Sequence, residues 1–391
     1  MEGDFIKIND WLLPLSWIYG AGVRLRNQMF EMGMLKSRSF DIPVISVGNI
    51  TVGGSGKTPH VEYLINLLRD KVKVAVLSRG YKRKSKGYML ATADTPMSDI
   101  GDEPYQMKKK FADIYVAVDK DRCHGIDQLT TNEETSDTDV ILLDDAYQHR
   151  YVKPGVNILL VDYHRLIMYD KLLPAGRLRE PQKGKARADI VIVSKCPADL
   201  KPMEFRVLTK AMNLFPYQKL YFTTLKYGSL RPIYGGEDRK LDTLTGDTSI
   251  LLLTGIASPQ QMIVDLKPYT ERITPLTFPD HHQYTDADID RINAEFEAMK
   301  GNDKMIVTTE KDNARLCGME GLSDEVKKNI YVLPVEVGFM LDQEEDFNEN
   351  IIGYVRKNSR NSILAKAKDD NKSDNSDNSG NRTRTISFRN N

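Results

Sequence analysis

A chain of 391 residues, 40% hydrophobic and 28% charged, has the size and composition of a globular protein with room for one large or two medium domains, and two is the expectation. Its 55 Lys and Arg balance 55 Asp and Glu, so bulk charge recruits neither nucleic acid nor an anionic membrane, and any such affinity is local. Cys123, Cys196 and Cys317 are few, distant and odd in number, which excludes a C-x-x-C zinc or redox site and a disulfide scaffold and points to a reducing cytoplasm.

The chain starts Met1-Glu2-Gly3-Asp4, acidic where a secretory leader is basic, so export is not expected. The apolar stretch Trp11 to Val23 is interrupted by Pro14 and Ser16 and falls short of the roughly 20 residues that span a bilayer. Trp11 and Trp17 are the only tryptophans, set among Leu12, Leu13, Leu15, Ile18 and Tyr19, with Arg24, Arg26 and Lys36 following. Two readings fit: a helix lying in the headgroup plane, or an amphipathic helix packed on the protein's own core.

From Ile42 onward, short β-branched runs alternate with helical patterns, which predicts βαβ units around a mostly parallel sheet. The predicted strands are 43–47, 72–78, 114–118, 140–144, 157–161 and 190–194. Each is continuously apolar, as in a doubly wound sheet with helices on both faces. Within this series Val44 to Thr58 reads as a strand followed by Gly53-Gly54-Ser55-Gly56-Lys57-Thr58. Glycines there let successive N–H groups face phosphates, Lys57 reaches the terminal phosphates, and Thr58 holds Mg²⁺. Val61, Leu64, Ile65 and Leu68 then follow helical spacing, so the lysine opens an amphipathic helix.

A P-loop also needs a carboxylate at a nearby strand end to orient Mg²⁺, and Asp144-Asp145 supplies two after an apolar run. Transfer to an alcohol calls for a base and for cations around the moving phosphoryl group. Gly101-Asp102-Glu103-Pro104 offers carboxylates and Asp280-His281-His282 offers imidazoles, so that His281 could polarise a first-domain carboxylate across an interdomain cleft.

Between Lys219 and Ile233, alternating Tyr221, Thr223, Leu225 and Tyr227 precede Gly228-Ser229 and a second extended piece, which reads as a two-stranded ribbon. A second, smaller α/β series follows, with strands near 250–253, 305–308 and 331–335 and helices starting near Ser258, Asp286 and Lys311. The expected organisation is an N-terminal helical region (1–36), a P-loop domain (37–218), a ribbon linker (219–235), a smaller domain (236–357) and a disordered polar tail (358–391).

These motifs resemble, block by block and in order, the tetraacyldisaccharide 4′-kinase family. The blocks are Val47-Gly48-Asn49 with the P-loop, Ser78-Arg79-Gly80-Tyr81, Gly101-Asp102-Glu103-Pro104 and Asp144-Asp145-Ala146-Tyr147-Gln148-His149-Arg150. After them come Leu173 to Pro181, Thr254-Gly255-Ile256-Ala257, Phe278 to His282 and Thr308-Thr309-Glu310-Lys311-Asp312. The resemblance implies ATP and Mg²⁺ as cofactors, an acylated disaccharide glycolipid as acceptor, and peripheral attachment at the cytoplasmic face of a bacterial inner membrane. A monomer is expected, and the balanced charge predicts no nucleic-acid partner. The resemblance also implies Asp102 as base with His281 as its partner, and Lys57 on the transferred phosphate. Thr58, Asp144, Asp145 and Glu180 are implied near Mg²⁺, and Gly53, Gly54, Ser55, Gly56, Arg122, Gln148, His149 and Arg179 around ATP or the acceptor. The family usually has glycine and phenylalanine where Ala146 and Tyr147 stand, which predicts a strained or altered turn if that glycine needs positive φ. The competing reading is a regulatory or partition-type P-loop ATPase. Against it, the extra lysine such ATPases carry before the double glycine is Val52 here.

Overall fold

The computed structural model describes residues 6, 8–256, 259–280, 282–316 and 319–358. His281 and the tail beyond Asn358 lie outside the described residues.

The first unit is a nine-stranded sheet built from β1 (Val44–Gly48), β2 (Val74–Ser78), β3 (Met89–Leu90), β4 (Tyr115–Val118), β5 (Val140–Asp144), β6 (Val156–Asp162), β7 (Ile190–Ser194), β8 (Lys219–Tyr227) and β14 (Val335–Phe339), in the order β14-β8-β7-β6-β1-β5-β2-β4-β3. Seven strands from β8 to β4 run parallel, and the antiparallel β14 and β3 close the edges. The six predicted strands are all in this sheet. Their interior residues are buried on both faces, which explains the absence of alternation: Ile45, Val76 and Leu142 face one apolar layer, while Ala75, Ile141 and Leu143 face another.

The second unit is a five-stranded sheet, β11-β10-β12-β13-β9, from β9 (Arg231–Pro232), β10 (Ser249–Thr254), β11 (Ile273–Thr277), β12 (Lys304–Thr309) and β13 (Ile330–Leu333). The extended pieces of 219–233 part company: β8 pairs with β7 in the large sheet, while β9 pairs with β13 in the small one. The antiparallel pair linking the units is instead β8 with β14, from Val335 opposite Tyr227 to Phe339 opposite Thr223. The run predicted at 331–335 splits at Pro334, which has no N–H to donate to a ladder. Chain connectivity therefore inserts the small sheet between β8 and β14. The helix Glu344–Asn358 then returns to the large sheet, burying Phe347, Ile351 and Val355 beside Val61 and Leu64.

Helix α1 (Leu13–Glu31) packs with an unusual orientation. In its first turns its contact face is small. Ser16 Oγ donates to the Leu172 carbonyl at 3.0 Å and accepts from the Ala175 N–H at 2.9 Å, and Gly20 lies against Leu172. Trp11 just before it, and Leu15, Trp17, Ile18 and Leu25 within it, point outward, with Trp17 and Ile18 70% and 72% exposed. Phe30 near the end of the helix is buried against the Tyr151 ring, so α1 packs on the protein through Ser16, Gly20 and Phe30 and leaves Leu15, Trp17, Ile18 and Leu25 exposed. Among the described residues no helix is long and apolar enough to cross a membrane.

Candidate active site

β1 lies between β5 and β6, and the chain proceeds to β2 and β4 on one side and to β7 and β8 on the other. The carboxyl ends of β1, β5 and β6 therefore open onto a crevice at the point where strand order reverses, the place where open α/β sheets bind ligands. A cleft of about 840 Å³ occupies that position, lined by α1, the P-loop, the ends of β2 and β5, the 177–180 segment, and Asp280 and Lys311 of the second unit. Seven cationic side chains face it, from Arg26, Lys57, Arg79, Arg150, Arg177, Arg179 and Lys311, against four carboxylates, Glu103, Asp145, Glu180 and Asp280. Such an excess suits a polyanion.

The P-loop runs from β1 into α2 (Lys57–Leu68), with Lys57 as its first helical residue. Gly53 and Gly56 take φ of 118° and 78°, which only glycine adopts cheaply, and this turns the loop back on itself. Three ties hold it from below. Asn49 Nδ2 donates to Ser55 Oγ at 2.7 Å, Ser194 Oγ donates to the Ser55 carbonyl at 2.9 Å, and Lys195 reaches the Gly54 carbonyl while pairing with Asp162 at 2.9 Å. Gly53, Gly54 and Lys57 reach the cleft wall, whereas Ser55 is buried beneath the loop. Thr58 sits in the first turn of α2, half-buried, and is not on that wall.

Lys57 Nζ lies 3.6 Å from Asp145 Oδ1, and Arg179 Nη1 lies 3.3 Å from the same oxygen. Burial would raise the Asp145 carboxyl, but Lys57 and Arg179 outweigh it and hold it below its usual range. Its neighbour Asp144 has the opposite fate. Burial, then repulsion from Glu103 and Asp145, pushes it up to about 7, and its Oδ1 is buried with no hydrogen-bond partner among the described residues. Oδ2 accepts from Ser78 Oγ at 3.2 Å. A buried carboxylate oxygen that is unpartnered, beside a second carboxylate and a P-loop, fits a hard divalent cation. Asp145 also carries the positive φ of this turn, 46°, while Ala146 does not adopt one, so the strain expected at the alanine is absent.

The other residues singled out by sequence divide. Gln148 donates to the Asn49 carbonyl at 2.6 Å and to Glu180 at 3.1 Å. Glu180 also pairs with Arg187 at 2.8 Å, which places Gln148, Arg179 and Glu180 together on the cleft wall. Arg122 does not reach it. Its buried guanidinium donates to the carbonyls of Asp119 and Asp144. His149 faces a second cavity of about 310 Å³, and burial followed by nearby Arg122 pushes its imidazole down to about 4.

Asp102 begins the helix Asp102–Lys110, preceded by Gly101 at φ 91°. Its carboxylate is engaged by Arg315 at 2.6 Å, and the adjacent Glu103 faces the cleft and pairs with Lys311 at 2.9 Å. Next to His281, His282 pairs away from the cleft with Asp288 at 2.9 Å.

Sequence reasoning passed over Arg79, Tyr81, Arg177 and Lys311 as site residues, although each lies in a block with recognisable spacing. Arg26 was visible only as a cation flanking an apolar helix. In the fold its guanidinium donates to the Gln148 carbonyl, and Tyr19 donates to that of Arg179 at 2.7 Å, so α1 is part of the cleft wall. Arg315 carried no signal of its own.

A family model described as tetraacyldisaccharide-1-P 4′-kinase matches residues 8–356. The chain belongs to this family. The tetraacyldisaccharide 4′-kinase of Phocaeicola vulgatus is 61% identical over 363 residues, 93% of this chain and 99% of that protein. Its counterpart from Bacteroides fragilis is 54% identical, covering 95% and 100%. Among solved structures, an "apo" form of LpxK from Aquifex aeolicus in complex with ATP superposes with a TM-score of 0.67 at 31% identity, covering 88% of this chain and 98% of that one. Membership of the tetraacyldisaccharide 4′-kinase family disfavours the switch-ATPase reading and accounts for a cleft shared by two α/β units.

Proposed function

We propose that this chain transfers the γ-phosphate of ATP to the 4′-hydroxyl of a tetraacyldisaccharide 1-phosphate, a step in lipid A biosynthesis, while resting on the membrane that holds its acceptor. The observation that carries this reading is the meeting in one cationic cleft of the P-loop lysine Lys57, Asp145 with Asp144 buried next to it in the chain, and, from the second unit, Lys311.

Mg²⁺ would be held by Thr58, Asp144 and Asp145, with Glu180 close by, and would supply charge neutralisation on the phosphates. The P-loop N–H groups and Lys57 hold the phosphate chain. Arg179 and Gln148 hold its other side. Asp102 takes the proton of the sugar hydroxyl as that oxygen forms its bond to the γ-phosphorus. The β,γ-bridging P–O bond breaks in the same displacement, and its electrons leave with ADP. His281 supports Asp102 in this reading. Packing of Asp280 and Lys311 against the first unit limits water in the cleft and so limits wasteful hydrolysis.

The orientation of α1 supports attachment at the bilayer surface. Ser16, Gly20 and Phe30 are committed to the protein, Trp11, Leu15, Trp17, Ile18 and Leu25 are exposed, and Arg26 and Tyr19 tie the same helix to the cleft. The acceptor's headgroup would thus be met at the level of the membrane, on its cytoplasmic face, where ATP is available.

The test is transfer of label from γ-labelled ATP to the tetraacyl disaccharide 1-phosphate in detergent micelles, with and without Mg²⁺. Labelled lipid that requires Mg²⁺ is expected. Asp102→Ala should lose at least about a hundredfold in turnover with ATP binding retained, and Lys57→Ala should lose both. Wild-type turnover by Asp102→Ala would remove Asp102 from the role of base, and hydrolysis with no labelled lipid would refute the acceptor.

A further inference from the structure

The Asp102 helix and the helix Glu310–Leu316 of the second unit lie against each other antiparallel, joined by a graded set of ion pairs. Lys110 meets Glu310 at 2.7 Å, Lys311 meets Glu103 at 2.9 Å, and at the far end Arg315 meets Asp102. The last contact differs from the other two in geometry. Nε and Nη2 of Arg315 both donate to one oxygen, Asp102 Oδ2, at 2.9 and 2.6 Å. The opposite edge of the guanidinium is fixed: Nη1 donates to Asp312 Oδ1 and to the Gly255 carbonyl, each at 3.1 Å.

Asp312 is itself fully buried and immobilised. Its Oδ2 accepts from the Gly255 N–H at 2.9 Å and from Thr309 Oγ1 at 2.8 Å, and its Oδ1 accepts from the Tyr284 hydroxyl at 3.3 Å. The Arg315 side chain is 0% exposed and that of Asp102 is 11% exposed. A planar guanidinium held on one edge by the small sheet can define the orientation of a carboxylate on its other edge. A lysine ammonium, with three donors around a point, cannot hold both edges in one plane. An ion pair buried this deeply contributes little net stability, because desolvating both charges offsets their attraction, and geometric specification is its better-attested use.

We infer that Arg315 is a positioning residue for the transfer reaction: it aims the Asp102 carboxylate from the opposite unit, so that the base is oriented only when the two sheets are packed together. This rests on the reading of Asp102 as the base. The connectivity agrees with it, since Gly255 and Asp312 stand at the carboxyl ends of β10 and β12, the functional edge of the small sheet.

The experiment compares Arg315→Lys, with Arg315→Gln as a second variant that keeps a donor toward Asp312, against Glu310→Gln and Asp102→Ala. Each is followed by lipid phosphorylation, ATP affinity and thermal unfolding. Misplacing a reacting group by about an ångström costs on the order of a hundredfold. Both Arg315 variants should therefore lose roughly tenfold to a hundredfold in kcat while KM for ATP changes by less than about twofold. Glu310→Gln breaks an ion pair of the same interface away from Asp102 and should keep kcat within about twofold. The inference is overturned if either folded Arg315 variant keeps wild-type kcat, or if Glu310→Gln loses as much, which would make the contact a generic clasp. Failure of the underlying reading looks different: Asp102→Ala would then retain turnover whatever the Arg315 variants do.

Discussion

His60 is the fourth residue of α2 and sits under the P-loop, buried, with Nδ1 2.7 Å from the Gly56 carbonyl and Nε2 3.0 Å from Thr223 Oγ1 on β8. A carbonyl only accepts, so the proton is on Nδ1, and Nε2 accepts from the threonine hydroxyl. Burial, with Lys195 adding repulsion, pushes the imidazole down to about 4 from an ordinary 6.5. The unfolded chain therefore takes up this proton first as pH falls. Stability that is fully present above pH 6.5 is lost progressively down to about pH 4, and the loss amounts to about 3 kcal/mol, since each tenfold drop in proton affinity on folding is worth about 1.36 kcal/mol. Urea unfolding of wild type and His60→Gln at a series of pH values between 7.5 and 4 isolates this contribution, since glutamine offers one donor and one acceptor and does not titrate. The gap in unfolding free energy between the two should move in favour of the variant by about 3 kcal/mol across that window. Parallel curves would refute the burial argument and place the imidazole in contact with solvent.

Gly101→Ala tests the backbone behind Asp102. At φ 91° an alanine is strained, and its Cβ would stand 2.9 Å from the Tyr81 carbonyl, so a destabilisation of about 1–3 kcal/mol is expected together with a fall in kcat that ATP binding does not share. Replacing Trp11 and Trp17 together by serine removes two exposed apolar anchors worth about 1.5–3 kcal/mol each if they enter the interface. Co-sedimentation with vesicles of phosphatidylglycerol and phosphatidylethanolamine should weaken at least about tenfold, with turnover on a short-chain, micelle-free acceptor little changed. Equal sedimentation of both proteins would remove α1 from the membrane contact.

Elements that depend on local chemistry were legible from sequence, and those that depend on a distant partner were not. The six apolar strands and the P-loop announce themselves because a doubly covered parallel strand must be apolar throughout, and because phosphate binding needs glycines at particular φ angles. β11 was not foreseen, since Ile273–Thr277 is an edge strand with a proline inside and one buried residue. The fates of β8 and β14 were hidden for a related reason: which sheet a strand joins is decided by its neighbour's edge, and the two pair across more than a hundred intervening residues.

At the site, the motifs singled out Lys57 and Asp145, which the structure brings together on the cleft wall, but not the contacts around them. Arg122 follows a strand just as a clamp residue would, yet its helix buries the guanidinium against carbonyls. His149, one position from Gln148, falls on the opposite side of the turn. Arg315 has significance only through Asp102, a residue of the other unit, and no periodicity or motif encodes such a contact.

The insertion of the small sheet between β8 and β14 bears on how this protein can be dissected. A fragment ending at Tyr227 would contain the entire P-loop and still lack an edge strand and the Glu344–Asn358 helix that seals Val61 and Leu64 from water. Ordinary C-terminal truncation should therefore yield an insoluble product. Excising residues 229–333 and joining Gly228 to Pro334 through a short turn would instead retain every strand of the nucleotide-binding sheet, because these two residues already meet by a backbone hydrogen bond of 3.1 Å.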